Sequence, residues 1–188
     1  MTTPFQPSGR PRTVAIDERR GLDIQSLVLL AVLLAAGFIL NFTAGKAISA
    51  VSGGAIAPEF IVSAFCLAIL VIRPTTPQAL VIGVISAAVI QITTSSPGID
   101  FVAEGIAAVA MASIVNVGAR TPARNLVPVV GTTFLSGMIF IVVKMALMGF
   151  AGELAAVMTP VVTVTAVFNA ILVGALYQPV KQSLGLNE

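Results

Sequence analysis

Six apolar stretches fill the chain from Gln25 to Tyr177, each roughly 17 to 25 residues long and divided from the next by a short polar break. They run over about Gln25–Phe42, Ala55–Ile72, Gln78–Thr94, Asp100–Gly118, Leu126–Phe150 and Leu154–Tyr177. A helix needs about 20 residues to cross a hydrocarbon core of about 30 Å. Lipid offers no hydrogen bonds, so only structures that satisfy their own backbone can cross it. A barrel would require alternating strands of about ten residues, and the pattern is absent. The stretches therefore predict an all-α integral membrane protein with six transmembrane helices. Composition agrees: hydrophobic residues make up 57% of the chain and charged residues only 10%, against about 25% charged in an ordinary soluble domain.

The breaks carry turn chemistry. Arg73-Pro74-Thr75-Thr76-Pro77, Ser95-Ser96-Pro97-Gly98 and Arg120-Thr121-Pro122-Ala123-Arg124 each combine proline with small polar residues. Residues 1–24 are polar and proline-rich and read as a disordered cytoplasmic tail. Residues 25–180 form the membrane domain, and 181–188 a second cytoplasmic end. Reading the first stretch as a cleaved signal peptide leaves five spans and spoils the charge pattern.

Charge orients the bundle. With the tail inside and every stretch crossing once, the cytoplasmic side holds Arg10, Arg12, Arg19, Arg20, Arg73, Arg120, Arg124 and Lys181. The outer loops hold only Lys46, and Lys144 lies within the fifth stretch. Positive residues gather on the cytoplasmic side of membrane proteins. Both termini are therefore expected in the cytoplasm, in a multi-pass protein of the cell membrane with lipid around it.

Several functions are excluded by what is missing. The chain has no histidine and one cysteine, Cys66. A disulfide within the chain, a histidine metal site and a histidine-dependent triad are all ruled out. Cys66 lies in an apolar run and reads as a small buried hydrophobe. Ser136 and Lys144 are eight residues apart on one helix, about 12 Å of rise, too far for a catalytic pair. No catalytic residues, cofactor, metal or nucleic-acid partner are expected. No phosphate-binding glycine motif occurs, so any ATPase must come from another subunit.

Ionisable groups inside a membrane are costly and mark sites. Glu59, Asp100, Glu104 and Lys144 all fall in the outer half of the predicted topology. Asp100 and Glu104 lie one turn apart on one face. Together they suit a polar solute such as a zwitterion, with Lys144 toward a carboxylate and Asp100 or Glu104 toward an ammonium. Acids at helix starts also favour the helix dipole without any ligand, and Lys144 has the alternative of pairing with Glu104. Thr93 and Thr94, at the outer end of the third stretch, add hydroxyls to the pocket mouth. Asn169, in the middle of the sixth stretch, is a further candidate for substrate binding or for a bond to a neighbouring helix. Ala31 and Ala35, four apart in the first stretch, allow close helix approach and offer a docking face.

At this point the chain resembles the substrate-binding (S) component of an energy-coupling factor transporter. Ala31 and Ala35 match the A-x-x-x-A motif by which such components dock on a transmembrane coupling subunit. Within that group the chain is most similar to the tryptophan-transport family. Pro58-Glu59-Phe60 resembles its P-D-F, and Thr93 to Gly98 resembles its T-T-S-F-P-G-G. Phe134 to Phe140 resembles its I-S-G-x-I-F, and Asn169 to Tyr177 resembles its N-x-x-x-G-x-x-L-Y ending with one extra residue. The chain departs after Gly98. Phe101 stands where the family has Asn, Glu104 replaces its Asp and Gly105 its Lys. The resemblance implies a membrane subunit that captures a small solute, tryptophan or a related compound, for uptake. A transmembrane coupling subunit and two cytoplasmic ATPase subunits would complete the transporter. A water-soluble vitamin as solute, and a stand-alone secondary transporter or channel, stay open as alternatives.

Overall fold

The computed structural model describes residues 22–54, 56–94, 96–117, 122–148 and 152–185. The tail expected up to residue 21 lies outside the described residues, and with it Arg10, Arg12, Arg19 and Arg20. So do Arg120, the Arg124 side chain and residues 186–188. Within the described residues the protein is all-helical, with six principal helices. They are α1 (Ile24–Val51), α2 (Phe60–Ile72), α3 (Thr76–Ile90), α4 (Ile99–Val117), α5 (Pro122–Met148) and α6 (Glu153–Ser183).

The helices differ in length, and this refines the expectation of six spans. Four are long and apolar enough to cross a membrane: Ile24–Val51, Ile99–Val117, Leu126–Leu147 and Ala155–Ser183. The second and third stretches give shorter apolar helices of 13 and 15 residues, about 20 and 22 Å of rise. Pro58 explains the shortening of α2, because proline lacks the N–H a helix interior needs. The segment before Phe60 stays non-helical and meets its hydrogen bonds otherwise. Ile56 N–H donates to Ser52 Oγ at 3.1 Å, and Ala57 O accepts from Thr165 Oγ at 3.0 Å.

The first helix runs further than its apolar stretch. Asp23 starts it, its carboxylate accepting the Ser26 N–H at 2.9 Å; hydrogen bonding from Ser26, its side chain first and its backbone second, holds the Asp23 carboxyl below its ordinary value. After Leu40 the helix passes through one π turn, Asn41–Gly45, and continues from Lys46 to Val51. The sequence places Lys46 in an outer loop, beyond a first stretch ending near Phe42. In the fold Lys46 and Ser49 stay helical, continuous with Asn41.

The core is built around α2, which packs on all five other helices. Every residue from Phe60 to Leu70 is buried, and Cys66 is fully enclosed among them. Between helices in lipid, close packing supplies the attraction that water supplies elsewhere. Small residues make it possible. Gly37 of α1 lies against the Phe60 carbonyl, and Ala103, Ala107, Ala108 and Ala112 form the inner face of α4. Asn116, near the far end of α4, donates to the Pro74 carbonyl at 2.9 Å and ties α4 to the α2–α3 turn. In that turn Arg73 adopts a left-handed conformation, φ 51°, and Thr75 with Gln78 forms a capping box that opens α3.

Candidate functional site

One cavity of about 400 Å³ opens at one end of the bundle. Its walls come from the end of α1, the start of α2, the end of α3 and the start of α4. The second half of α5 and the first half of α6 complete them. Successive helices thus present alternate ends, as an up-and-down bundle requires. Arg73, at the close of α2, and Lys181, in the last turn of α6, belong to the opposite end.

Local geometry explains how each polar group reaches the cavity. The π turn of α1 brings Asn41 to the start of α2. Asn41 Oδ1 accepts the Phe60 N–H at 2.9 Å, and its Nδ2 makes a long contact of 3.5 Å to Glu59 Oε2. Single π turns inside α-helices frequently accompany functional sites. The α3–α4 loop is braced by Gln91, whose Oε1 accepts the Gly98 N–H at 2.9 Å while its Nε2 donates to Asp100 Oδ2 at 3.0 Å. Thr94 Oγ accepts the Ser96 N–H at 3.2 Å. One turn past Asp100, Glu104 accepts a hydrogen bond on Oε1 from Ser136 Oγ of α5 at 2.7 Å.

Of the residues singled out in the sequence, Glu59, Thr93, Thr94, Asp100 and Glu104 all line this cavity. Lys144 does not. Its Nζ lies over the Phe140 ring, 5.3 Å from the centroid, and it is Phe140 that faces the cavity. The alternative pairing of Lys144 with Glu104 is not formed either, and Glu104 Oε1 instead accepts from Ser136. Asn169 is also off the cavity. It is fully buried, one turn deeper than the lining residue Thr165, and neither of its amide atoms has a protein partner. Ala31 and Ala35 lie on the exposed side of α1, while Leu30, Leu34 and Gly37 form its buried side.

Asn41, Gln91, Thr133 and Thr165 were not singled out in the sequence. Thr133 and Thr165 lie in apolar helices where a hydroxyl usually bonds its own backbone. The available signal for Asn41 was an amide directly after a long apolar run. Two groups on the cavity wall lack a protein partner: Glu104 Oε2 and Thr133 Oγ, on residues each 4% exposed. Buried polar groups normally have partners, and these two have none among the described residues. Lys46, exposed at the mouth, stacks on Phe42 at 4.0 Å from the ring centroid.

No protein-family model, curated protein or solved structure matches this chain.

Proposed function

We propose that this protein is the solute-binding membrane subunit of an ATP-driven uptake transporter. Its solute is a small molecule, tryptophan or a related compound. The observation that carries the reading is the cavity at one end of a mostly apolar bundle, with Glu59, Asp100 and Glu104 on its walls beside apolar surface. Its volume suits a compact ligand, since small-molecule sites run from about 300 Å³ upward. Under the positive-inside rule Arg73 and Lys181 put the opposite end in the cytoplasm. The cavity then faces outward, α2 and α3 cross as part of the bundle, and both termini are cytoplasmic. The exposed Ala31–Ala35 side of α1 is the surface for a coupling subunit, which would bring the ATPases.

Among the described residues the ionisable side chains at the cavity end do not continue as a line across the bundle, which favours capture over conduction. The test is a thermal-shift screen of the purified protein in detergent against tryptophan, its precursors and water-soluble vitamins. A ligand at 100 times its dissociation constant adds about 2.7 kcal/mol of apparent stability. A saturable shift with one of these compounds is expected. No shift with any of them overturns the reading.

A further inference from the structure

The cavity's charges are unbalanced in depth, and this narrows the solute. Three lining carboxylates, Glu59, Asp100 and Glu104, face a single lining cation, Lys46. Lys46 is exposed at the mouth and already covers the Phe42 ring. Lys144 lies against Phe140, outside the lining. Among the described residues no protein cation therefore stands beside Glu104, which is buried with Oε2 unpartnered. Thr133 and Ser136 are three residues apart on α5 and face the same region. Ser136 is engaged by Glu104 Oε1, whereas Thr133 Oγ is unpartnered. A buried carboxylate oxygen without a partner is expensive. A ligand ammonium offers three N–H donors and would meet the carboxylate and the hydroxyl together. A ligand carboxylate placed there would instead face acids. A metal ion is a poorer fit, because no cluster of three acidic or sulfur ligands occurs among the described residues. The adjoining wall is apolar, with Phe140, Ile141 and Val162.

We propose that the cavity binds an organic cation, its ammonium held by Glu104 Oε2 and Thr133 Oγ and its apolar body lying along Phe140 and Val162. This rests on the reading of the cavity as a solute site. It replaces the zwitterion expected from the sequence with a related compound that carries a positive charge and no carboxylate.

The test uses one ring system at three charges: tryptamine, tryptophan and indole-3-acetate, titrated calorimetrically into the purified full-length protein at neutral pH. Tryptamine is expected to bind at least tenfold more tightly than tryptophan, and indole-3-acetate not at all. Glu104→Gln is expected to weaken tryptamine binding roughly 10- to 100-fold, the range of a charge-assisted hydrogen bond. Thr133→Val, which keeps the side-chain shape, should weaken it less. Unliganded melting of each variant reports its folding. If tryptophan binds more tightly than tryptamine, the cation assignment is overturned while the solute site stands. Binding of none of the three overturns the cation assignment, and the solute site then stands or falls on the wider thermal-shift screen. If folded Glu104→Gln keeps wild-type tryptamine affinity, the role given to Glu104 is overturned.

Discussion

Asn41 of α1 caps α2 from a neighbouring helix, its Oδ1 accepting the Phe60 N–H at 2.9 Å. An α-helix leaves its first N–H groups unpaired. Here the partner comes from 19 residues upstream, across the π turn. Removing it leaves a part-buried donor unmet, which costs about 1–3 kcal/mol. Asn41→Ala is expected to lower the melting temperature in detergent. Asn41→Asp keeps the acceptor for Phe60 but sets a carboxylate against Glu59. It should recover part of the loss, and more of it at acidic than at alkaline pH. Equal melting of Asn41→Ala and the parent protein would rule out the cap.

Gly83 sets how closely α3 can approach α4. A Cβ at this position would lie 2.5 Å from the Glu104 carbonyl oxygen and 2.9 Å from Ala108 Cβ. The first obstacle is backbone, so the helices must separate. Overpacking of this kind costs about 1–3 kcal/mol. Gly83→Ala is expected to lower the melting temperature and, by moving the Glu104 backbone, to weaken solute binding. Gly131, where an added Cβ meets nothing within 4 Å, is the control: Gly131→Ala should leave both unchanged or slightly raise stability.

The sequence displays the parts of this fold that depend on lipid and hides those that depend on helix-to-helix geometry. The apolar stretches mark all six helices, four of them long enough to cross a bilayer. Several boundaries moved. Pro58 cut α2 to Phe60–Ile72, α3 stops at Ile90, and α1 and α6 run on to Val51 and Ser183, past the ends of their apolar stretches. The acids Glu59, Asp100 and Glu104 were legible because charge is rare in such helices. Thr133 and Asn41 were not, since their significance lies in which neighbour they meet. Lys144 was legible as a rare charge, and its place over Phe140 follows from their spacing of four on one helix.

The Ser136–Glu104 bond joins α5 to α4 at the cavity wall, at 2.7 Å. Ser136→Ala leaves both carboxylate oxygens without protein partners. Its cost is expected to be about 1–3 kcal/mol. Glu104→Gln keeps an acceptor for Ser136 while removing the charge. The two substitutions remove parts of one interaction, so their effects on thermal stability should not add. A coupling of at least about 0.5 kcal/mol in the double-mutant cycle is expected. Strict additivity would show that the two side chains do not act together.

The proposed orientation, including passage of the short helices α2 and α3, is open to a cysteine-accessibility test. The native Cys66 is fully buried, and Cys66→Ala supplies a thiol-free background. Single cysteines are then placed at four exposed positions: Val51 and Thr93 at the cavity end, and Thr76 and Ser183 at the other. In intact cells a membrane-impermeant maleimide is expected to label Val51→Cys and Thr93→Cys. Thr76→Cys and Ser183→Cys should react only after permeabilisation. Thr76 is the informative site, because it opens α3 directly after the short α2. Labelling of Thr76→Cys from outside, with Ser183→Cys still protected, would mean that α2 and α3 enter and leave on the same face. Labelling of Ser183→Cys with protection of Val51→Cys would invert the protein and turn the cavity toward the cytoplasm. That result would make capture from the outside impossible in this state.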